Sequence, residues 1–416
     1  MPKKVTPIGT RSAGVASSAG MPHRPANHEV AHGQFDFRPA TRLIFGVGAI
    51  KRIGELAREL GARRVLVVTD EGIVAAGHAE RVEHFLQAAG LGVVIFGAVR
   101  ENPTTLDVER CVEVARAANV EVIIGLGGGS SLDTAKGCNF LLTNGGQMRD
   151  YWGVGKAAKP MLPLIAVPTT AGTGSECQSF ALIADEETNQ KMACGDPKAA
   201  AKIAILDPTL TLSQPARVTA LTGIDAIAHA AETAVTKKRT PLSLLYSREA
   251  FNLCVNNLPV VLENPNHLEA RGNMLLGAAY AGTAIENSML GAAHAAANPL
   301  TAHFGIAHGQ AVGILLPHVI RFNAGDPGAQ RAYGELAAAA GIGHLNGDVE
   351  DSVERLVARI ELILSRTRLP FRLSEFGIKT SIIPTLAEEA SKQWTAGFNP
   401  RTVRAREFEK LYQSAF

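Results

Sequence analysis

The sequence predicts an α/β domain over residues 35–212, followed by an all-α domain over residues 213–416. Up to about residue 208, short β-branched apolar runs alternate with amphipathic stretches. From about residue 213, alanine and leucine dominate, and apolar residues recur with helical spacing. A chain of 416 residues is also long for a single hydrophobic core. Two domains are therefore expected.

Four apolar runs in the first half have the length and the β-branched content of buried strands. They cover residues 64–71, 93–96, 120–126 and 162–167. Residues 106–118 have helical spacing, and strands that alternate with helices form a parallel sheet with helices on both faces. Two short runs around a polar turn at residues 186–189 predict a hairpin over residues 180–193.

The second half carries long helical patterns instead of strand patterns. Residues 243–258, 268–284 and 349–365 each repeat apolar side chains at helical intervals. We therefore expect this half to be entirely helical.

Composition excludes several classes of function. Hydrophobic residues make up 46% and charged residues 19%, and the formal net charge is +2, so nothing indicates a nucleic acid or an anionic membrane as partner. No run of about 18 apolar residues predicts a transmembrane helix. The five cysteines are odd in number and irregularly spaced, which favours free thiols in a reducing compartment, the cytoplasm.

Residues 1–34 differ from the rest of the chain. They are rich in Ser, Ala, Gly and Pro, and Glu29 is their one acidic residue. They lack the apolar core of a secretory signal, so we expect a disordered extension. An organelle-targeting segment, or a true start at Met21, is the alternative.

A glycine-rich stretch, "GLGGGSSLDTAK", covers residues 125–136 and follows a predicted strand. Glycines such as Gly128 and Gly129 let the backbone approach a ligand closely. Ser130 or Ser131 is expected to cap the following helix, whose free N–H groups suit a pyrophosphate. The stretch is not the usual G-x-G-x-x-G fingerprint, and a simple tight turn is the alternative.

Two further strand ends carry polar groups. Asp70 ends the first strong strand, where its carboxylate can accept hydrogen bonds from an adenosine ribose and would repel the 2′-phosphate of NADP. The alternative is that Asp70 caps the next helix. "PTTAGTGSE", residues 168–176, also follows a strand, and its hydroxyls and amides suit the nicotinamide half of a dinucleotide.

The second half contains a constellation of metal-binding residue types. In "GIDAIAHAAE", Asp225 and His229 are four residues apart and share one helix face. His294 and His308 follow in a second histidine-rich segment. One carboxylate and three imidazoles can bind a divalent transition metal, although isolated histidines on helices are more often structural.

Together these motifs resemble the iron-containing (group III) alcohol dehydrogenases, relatives of lactaldehyde reductase and 1,3-propanediol dehydrogenase. "ILLPHVIRFNA" and "NPR" at residues 399–401 add to the resemblance, which covers about residue 40 to the C-terminus. It implies an N-terminal Rossmann-like domain and a helical C-terminal domain, in a dehydroquinate synthase-like architecture. It also implies catalysis in the cleft between them, and often a homodimer.

The resemblance also implies roles for individual residues. The metal ligands fall on Asp225, His229, His294 and His308, with Fe²⁺ as the expected metal and Zn²⁺ or another divalent ion as the alternative. The positions that contact NAD are Asp70, Asn102, Gly128, Gly129, Ser130, Asp133, Thr169, Thr170 and Lys191.

Two positions depart from the pattern of the family. Asn298 stands where many relatives have a second histidine, which is a candidate proton relay. The Asn298 amide lies on the expected substrate or proton path, but it cannot titrate. His303 lies too far round the helix to replace that histidine directly. Ile285 stands where relatives often carry an aromatic residue, which could reshape the substrate pocket.

The expected activity is reversible hydride transfer between a small primary alcohol or diol and NAD, with the metal as a Lewis acid. One alternative is a related oxidoreductase for an anionic substrate, such as a maleylacetate reductase, a hydroxyacid–oxoacid transhydrogenase or a phosphonoacetaldehyde dehydrogenase. A dehydroquinate-synthase-like lyase and an inactive nucleotide-binding protein are the alternatives from other classes.

Overall fold

The first half of the chain is built around a parallel β-sheet. The computed structural model describes residues 35–37, 39–188, 190–343 and 348–416. The strands are β1 (Arg42–Phe45), β2 (Arg64–Asp70), β3 (Gly92–Val99), β4 (Val122–Gly127), β5 (Gly153–Val154), β6 (Leu164–Pro168), β7 (Phe180–Ala184), β8 (Lys191–Gly195) and β9 (Ile203–Leu206).

Helices flank the sheet and form nearly all of the regular structure after residue 206. In the first half they are α1 (Ile53–Glu59), α2 (Glu71–Ala75), α3 (His78–Ala88), α4 (Thr105–Ala117) and α5 (Gly129–Asn144). The second half contains α6 (Ala216–Thr233), α7 (Pro241–Glu263), α8 (Leu268–Ser288), α9 (Ala292–Phe304), α10 (His308–Asn323), α11 (Pro327–Ala339), α12 (Val349–Arg366), α13 (Ile383–Ser391) and α14 (Ala405–Ser414).

The main sheet has six strands in the order β1-β9-β6-β4-β2-β3, and every neighbouring pair is parallel. Strands β4 and β6 are buried along their whole length, because helices cover both faces of a parallel sheet. The carboxyl ends of β2, β4 and β6 therefore meet at one edge. A smaller sheet, β5-β8-β7, contains the antiparallel β7–β8 hairpin.

The predicted fold class is confirmed, including the four predicted strands, the hairpin and the three long helices. Strands β1, β5 and β9 were not among the predicted runs. The 34-residue N-terminal extension lies outside the described residues. Phe35–Phe416 cluster as one compact unit, so the division at residue 212 stays a prediction. No helix in the described ranges is long and apolar enough to cross a bilayer.

The loop that follows β6 is packed tightly against the helical half of the chain. Gly174, in this loop, faces Gly282 of α8, and a Cβ atom at Gly282 would lie 2.2 Å from the carbonyl oxygen of Gly174. The two backbones can approach this closely only because neither residue has a side chain. The loop is therefore fixed against α8.

We expect Gly282→Ala to lower the midpoint of thermal unfolding. Alanine favours an α-helix by about 1 kcal/mol over glycine, but here its methyl group would collide with backbone, at a cost of about 1–3 kcal/mol. Gly397→Ala is the control, because a Cβ atom at Gly397 would meet nothing within 4 Å. A Gly282→Ala protein as stable as the control would contradict the tight packing of the loop.

Candidate metal and cofactor site

Four predicted metal ligands meet in the helical half of the chain. Asp225 and His229 lie one turn apart on α6, His294 lies in the first turn of α9, and His308 is the first residue of α10. Ligand atoms of Asp225, His229 and His294 all lie within 4.8 Å of one another. His308 Nε2 lies 3.8 Å from Asp225 Oδ1. The helix packing thus groups residues that are 83 positions apart in the chain (225 to 308).

One oxygen of Asp225 is the focus of this group. Asp225 Oδ1 lies 3.5 Å from His229 Nε2 and 3.4 Å from His294 Nε2, which is longer than a normal hydrogen bond. Asp225 Oδ1 and His294 Nε2 are both buried, and neither has a hydrogen-bond partner among the described residues. Buried polar atoms rarely lack a partner, and a carboxylate with imidazoles suits Fe²⁺ or Zn²⁺. The donor atoms therefore fit a divalent metal.

The other ring nitrogens are held by neighbouring acceptors. His229 Nδ1 donates to the carbonyl oxygen of Gly172, 3.2 Å away, and His294 Nδ1 donates to the carboxylate of Glu232. These bonds leave each Nε2 directed at Asp225 and fix the two rings, which stack with centroids 4.7 Å apart. Such outer contacts orient the ligands of metal sites.

Glu232 is a functional residue that the sequence reasoning did not identify. It is buried, and its second oxygen accepts the backbone N–H of Ala293 at 2.7 Å. A sequence signal exists, because Asp225, His229 and Glu232 follow the i, i+4, i+7 spacing of one helix face. Glu232 thus ties α6 to the start of α9, where His294 lies.

The pKa values of the four predicted metal ligands are shifted in different directions. Burial alone would raise the pKa of Asp225, but His229, His294 and His308 outweigh it and hold that pKa well below its usual range. Burial lowers the pKa values of His229 and His308. It also disfavours a charged His294, yet Glu232 and Asp225 raise the pKa of His294 to about 9. In the absence of metal, these shifts favour the ionised form of Asp225, the protonated form of His294 and the neutral forms of His229 and His308.

His308 faces the opening of the site. A third of its side chain is exposed, against 5% for Asp225 and 6% for His229. Its position depends on Gly309, since a Cβ atom there would lie 2.2 Å from the carbonyl oxygen of Leu221 on α6. The glycine lets the start of α10 approach α6 one turn before Asp225.

The predicted cofactor residues gather at the carboxyl edge of the main sheet. Asp70 ends β2, and the glycine loop follows β4. Thr169, which directly follows β6, donates its N–H to the carbonyl oxygen of Gly127 at 3.0 Å. Asn102 lies after β3 with a left-handed backbone (φ 53°) and donates its N–H to Ser130 Oγ at 3.3 Å. The carboxyl ends of β2, β3, β4 and β6 thus lie side by side at this edge.

The glycine loop enters its helix earlier than expected. Gly128 is the N-cap of α5 and no side chain caps this helix, so the expectation that Ser130 or Ser131 caps it is wrong. Both serines already lie in the first turn, and Ser131 Oγ donates to Asp70 Oδ2 at 3.1 Å. Asp70 Oδ1 accepts the N–H of Ile73 and caps α2, which confirms the capping alternative for Asp70. Its contact with a ribose stays a prediction.

The other predicted cofactor positions surround this edge. The backbone of Gly128 and Gly129 begins α5, and Thr170 packs beside Gly128, where a Cβ atom would lie 3.4 Å from the Thr170 methyl group. Lys191 is the exposed first residue of β8, and its charge contributes to lowering the pKa of His308. The cofactor role of Lys191 stays a prediction.

Asp133 is occupied by contacts within the protein. Its Oδ1 accepts from Ser175 Oγ at 2.7 Å, and its Oδ2 accepts from the N–H of Leu182 at 3.2 Å. The fully buried Lys136, one turn later, donates to the carbonyl oxygens of Ser175 and Phe180 at 2.7 and 2.9 Å. Asp133 and Lys136 thus fix the loop after β6 to the β7–β8 hairpin, while the cofactor role of Asp133 stays a prediction.

Asn298 lies one turn after His294 on α9. Its Nδ2 donates to Gln393 Oε1 at 3.0 Å. His303 lies on the exposed side of the same helix and pairs with Glu389 at 2.8 Å. This arrangement agrees with the expectation that His303 does not directly replace a histidine at position 298.

Comparison with known proteins gives one family for both halves of the chain. The family model "Iron-containing alcohol dehydrogenase" matches residues 40–208, and "Fe-containing alcohol dehydrogenase family, C-terminal" matches residues 219–416. The NAD-dependent methanol dehydrogenase of Bacillus methanolicus is 32% identical over 372 residues, 89% of this chain and 97% of that protein.

Two further similarities concern propanediol enzymes. The 1,3-propanediol dehydrogenase of Klebsiella pneumoniae is 32% identical over 390 residues, 93% of this chain and 100% of that protein. A solved structure of 1,3-propanediol oxidoreductase matches with a TM-score of 0.89 at 32% identity, covering 92% of this chain and 100% of that one.

We expect Glu232→Gln to weaken metal binding by about ten- to hundredfold, because the carboxylate that orients His294 loses its charge. Competition with a chromophoric chelator measures the affinity. Glu269→Gln, an exposed change on α8, is the control. Unchanged affinity in Glu232→Gln would contradict the orienting role.

Metal affinity is also expected to rise with pH. Below a pH of about 9, the metal-free site holds a proton on His294, and a metal must displace this proton to bind Nε2. One displaced proton raises the affinity about tenfold per pH unit. Zn²⁺ titrations between pH 6 and pH 8, corrected for protonation of the chelator, test this. A flat profile would contradict the assignment of the proton to His294.

Proposed function

The chain belongs to the iron-containing alcohol dehydrogenase family and is an NAD-dependent enzyme of that family; we propose that it interconverts small primary alcohols or diols and their aldehydes. We assign Asp225, His229, His294 and His308 as the metal ligands. The observation that carries this proposal is the pair of buried, unpartnered atoms, Asp225 Oδ1 and His294 Nε2, where three imidazoles converge.

When bound, a divalent metal supplies a Lewis acid for the substrate oxygen, and NAD supplies the hydride acceptor or donor. The protein sets the protonation and the orientation of the proposed ligands before the metal binds. The low pKa of Asp225 favours its ionised form, and the lowered pKa values of His229 and His308 favour neutral imidazoles. Gly172 and Glu232 hold the Nδ1 atoms of His229 and His294, so little reorientation of these two rings is needed.

The cofactor residues are assigned to the carboxyl edge of the main sheet. Backbone N–H groups at the start of α5, around Gly128 and Gly129, suit the pyrophosphate. Asp70, Asn102 and Ser130 follow neighbouring strand ends, where open sheets bind dinucleotides.

Residues between this edge and the metal centre complete the cofactor assignment. The loop with Thr169 and Thr170 would receive the nicotinamide half, and Lys191 and Asp133 would lie beside it. This assignment is supported by the hydrogen bond between His229 Nδ1 and the carbonyl oxygen of Gly172, which connects the loop directly to the proposed metal ligands.

Asn298 is assigned to the substrate side of the metal centre. Its position one turn after His294 supports this. Because an amide does not titrate, protons would leave through water or the cofactor ribose. The amide is held by Gln393, so it can orient a hydroxyl group but not exchange a proton with it.

A related enzyme for an anionic substrate is the second candidate. Lys191 supports it, because its charge reaches His308, but Lys191 is also assigned to the cofactor. We further propose a cytoplasmic location, supported by the five cysteines, which are all buried and free, and a homodimer by analogy with the family.

We expect His294→Ala to abolish both tight metal binding and alcohol-dependent reduction of NAD⁺ while the protein stays folded. Metal content, activity on anaerobic Fe²⁺-loaded protein and thermal unfolding are the measurements. His303→Ala is the matched control, because it removes a histidine of the same helix that bonds only Glu389. Full metal content and activity in His294→Ala would refute the ligand assignment.

A further inference from the structure

The β7–β8 hairpin has one open face. Paired residues across antiparallel strands place their side chains on the same face, and the pairs are Phe180 with Gly195, Leu182 with Ala193, and Ala184 with Lys191. These side chains are half-buried or exposed, apart from the glycine, whereas the alternate residues of both strands are buried. The open face is therefore apolar along its length and ends in Lys191.

The open face extends from Lys191 at one end to Phe180 at the other. At its first end, the charge of Lys191 contributes to lowering the pKa of His308. At the opposite end, the Phe180 ring stacks on Trp394, with centroids 5.9 Å apart and planes at 29°. Trp394 is 47% exposed, although large aromatic side chains usually have most of their surface covered. We call Phe180 and Trp394 the aromatic wall.

A hydrogen bond from helix α9 connects the aromatic wall to the proposed metal centre. Asn298 follows His294 by one turn of α9, and its amide bonds to Gln393, the residue before Trp394. The 3₁₀ helix Trp394–Phe398 holds the indole, with the Phe398 ring edge-on at 5.8 Å. Asn298 thus links the turn of α9 that carries His294 to the segment that carries Trp394.

The wall is also fixed before any ligand binds. The carbonyl oxygen of Phe180 accepts Lys136 Nζ at 2.9 Å. The preceding residue, Ser179, donates its N–H and its hydroxyl to Glu286 of α8 at 2.9 and 2.6 Å. Gly195 leaves room for the Phe180 ring, since a Cβ atom there would lie 2.4 Å from it. Fixed aromatic surface binds apolar groups at low entropic cost.

We infer that the aromatic wall selects the non-reacting end of the substrate, and that the preferred substrates are primary alcohols and aldehydes with an alkyl chain of several carbons or an aromatic ring. This rests on the proposed function. A second hydroxyl or a carboxylate against the wall would lose hydration without gaining a partner, so within the proposed class we expect 1,3-propanediol and 4-hydroxybutyrate to be poorer substrates than 1-butanol. Each carbon that reaches the wall adds to binding.

Substrate kinetics test the inference on anaerobic Fe²⁺-loaded protein with NAD⁺. We expect kcat/KM to rise from ethanol through 1-butanol to 1-hexanol, with benzyl alcohol also favoured. Phe180→Ala and Trp394→Ala should each lower kcat/KM for 1-hexanol by about tenfold or more, and change it for ethanol by less than about threefold. Phe304→Ala, an exposed aromatic residue at the end of α9, is the matched control and should change neither.

A binding measurement separates this inference from the proposed function. The chain has two tryptophans, so Trp152→Phe leaves Trp394 as the only source of indole fluorescence. We expect 1-hexanol to change this fluorescence in metal-loaded protein, and 1,3-propanediol at equal concentration not to. The inference would be overturned if the enzyme preferred 1,3-propanediol or 4-hydroxybutyrate. It would also be overturned if Phe180→Ala and Trp394→Ala lowered kcat/KM equally for all substrates. In either case the protein would still be an alcohol dehydrogenase. A fluorescence response without turnover of any alcohol or aldehyde would overturn the proposed function instead.

Discussion

The burial of the Asp225 carboxylate is the constraint on which the rest of the site depends. An ionised carboxylate that is only 4% exposed is costly unless positive charge or hydrogen bonds compensate it. Here three imidazoles, one each on α6, α9 and α10, surround one oxygen of this carboxylate and compensate its charge. Three helices must therefore meet at one point, which accounts for the close approach at Gly309 and for the connection through Glu232. The helical half is arranged around this charge.

The loop after β6 connects that charge to the sheet. Thr169 bonds to the end of β4, Gly172 bonds to His229, and Gly174 lies against the backbone of α8. Small residues are required at Gly172 and Gly174, because a Cβ atom there would lie 2.5 Å from the Thr222 side chain and 2.6 Å from the backbone of α8, respectively. The abundance of Thr, Ser and Gly in the loop is thus a packing requirement as well as a supply of polar groups for a ligand.

Much of this arrangement could be predicted from the sequence because its signals are local. The strands β2, β4 and β6 are apolar runs, and the spacing of Asp225 and His229 fixes a shared helix face. The partners of Glu232 and Asp133 could not be predicted, since they depend on how distant segments pack. Ser131 illustrates the limit: its hydroxyl follows a strand and begins a helix, but it bonds to Asp70, 61 residues earlier, instead of capping its own helix.

The bond between Gly172 and His229 gives the molecule a property that neither half would have alone. With the sites assigned as proposed, the same short loop would offer its hydroxyls to the dinucleotide and its carbonyl to a ligand of the metal. A displacement of that carbonyl on occupation of one site would alter the free energy of filling the other. Thermodynamic reciprocity then requires the effect to be mutual: the factor by which one ligand changes the affinity for the second equals the factor by which the second changes the affinity for the first.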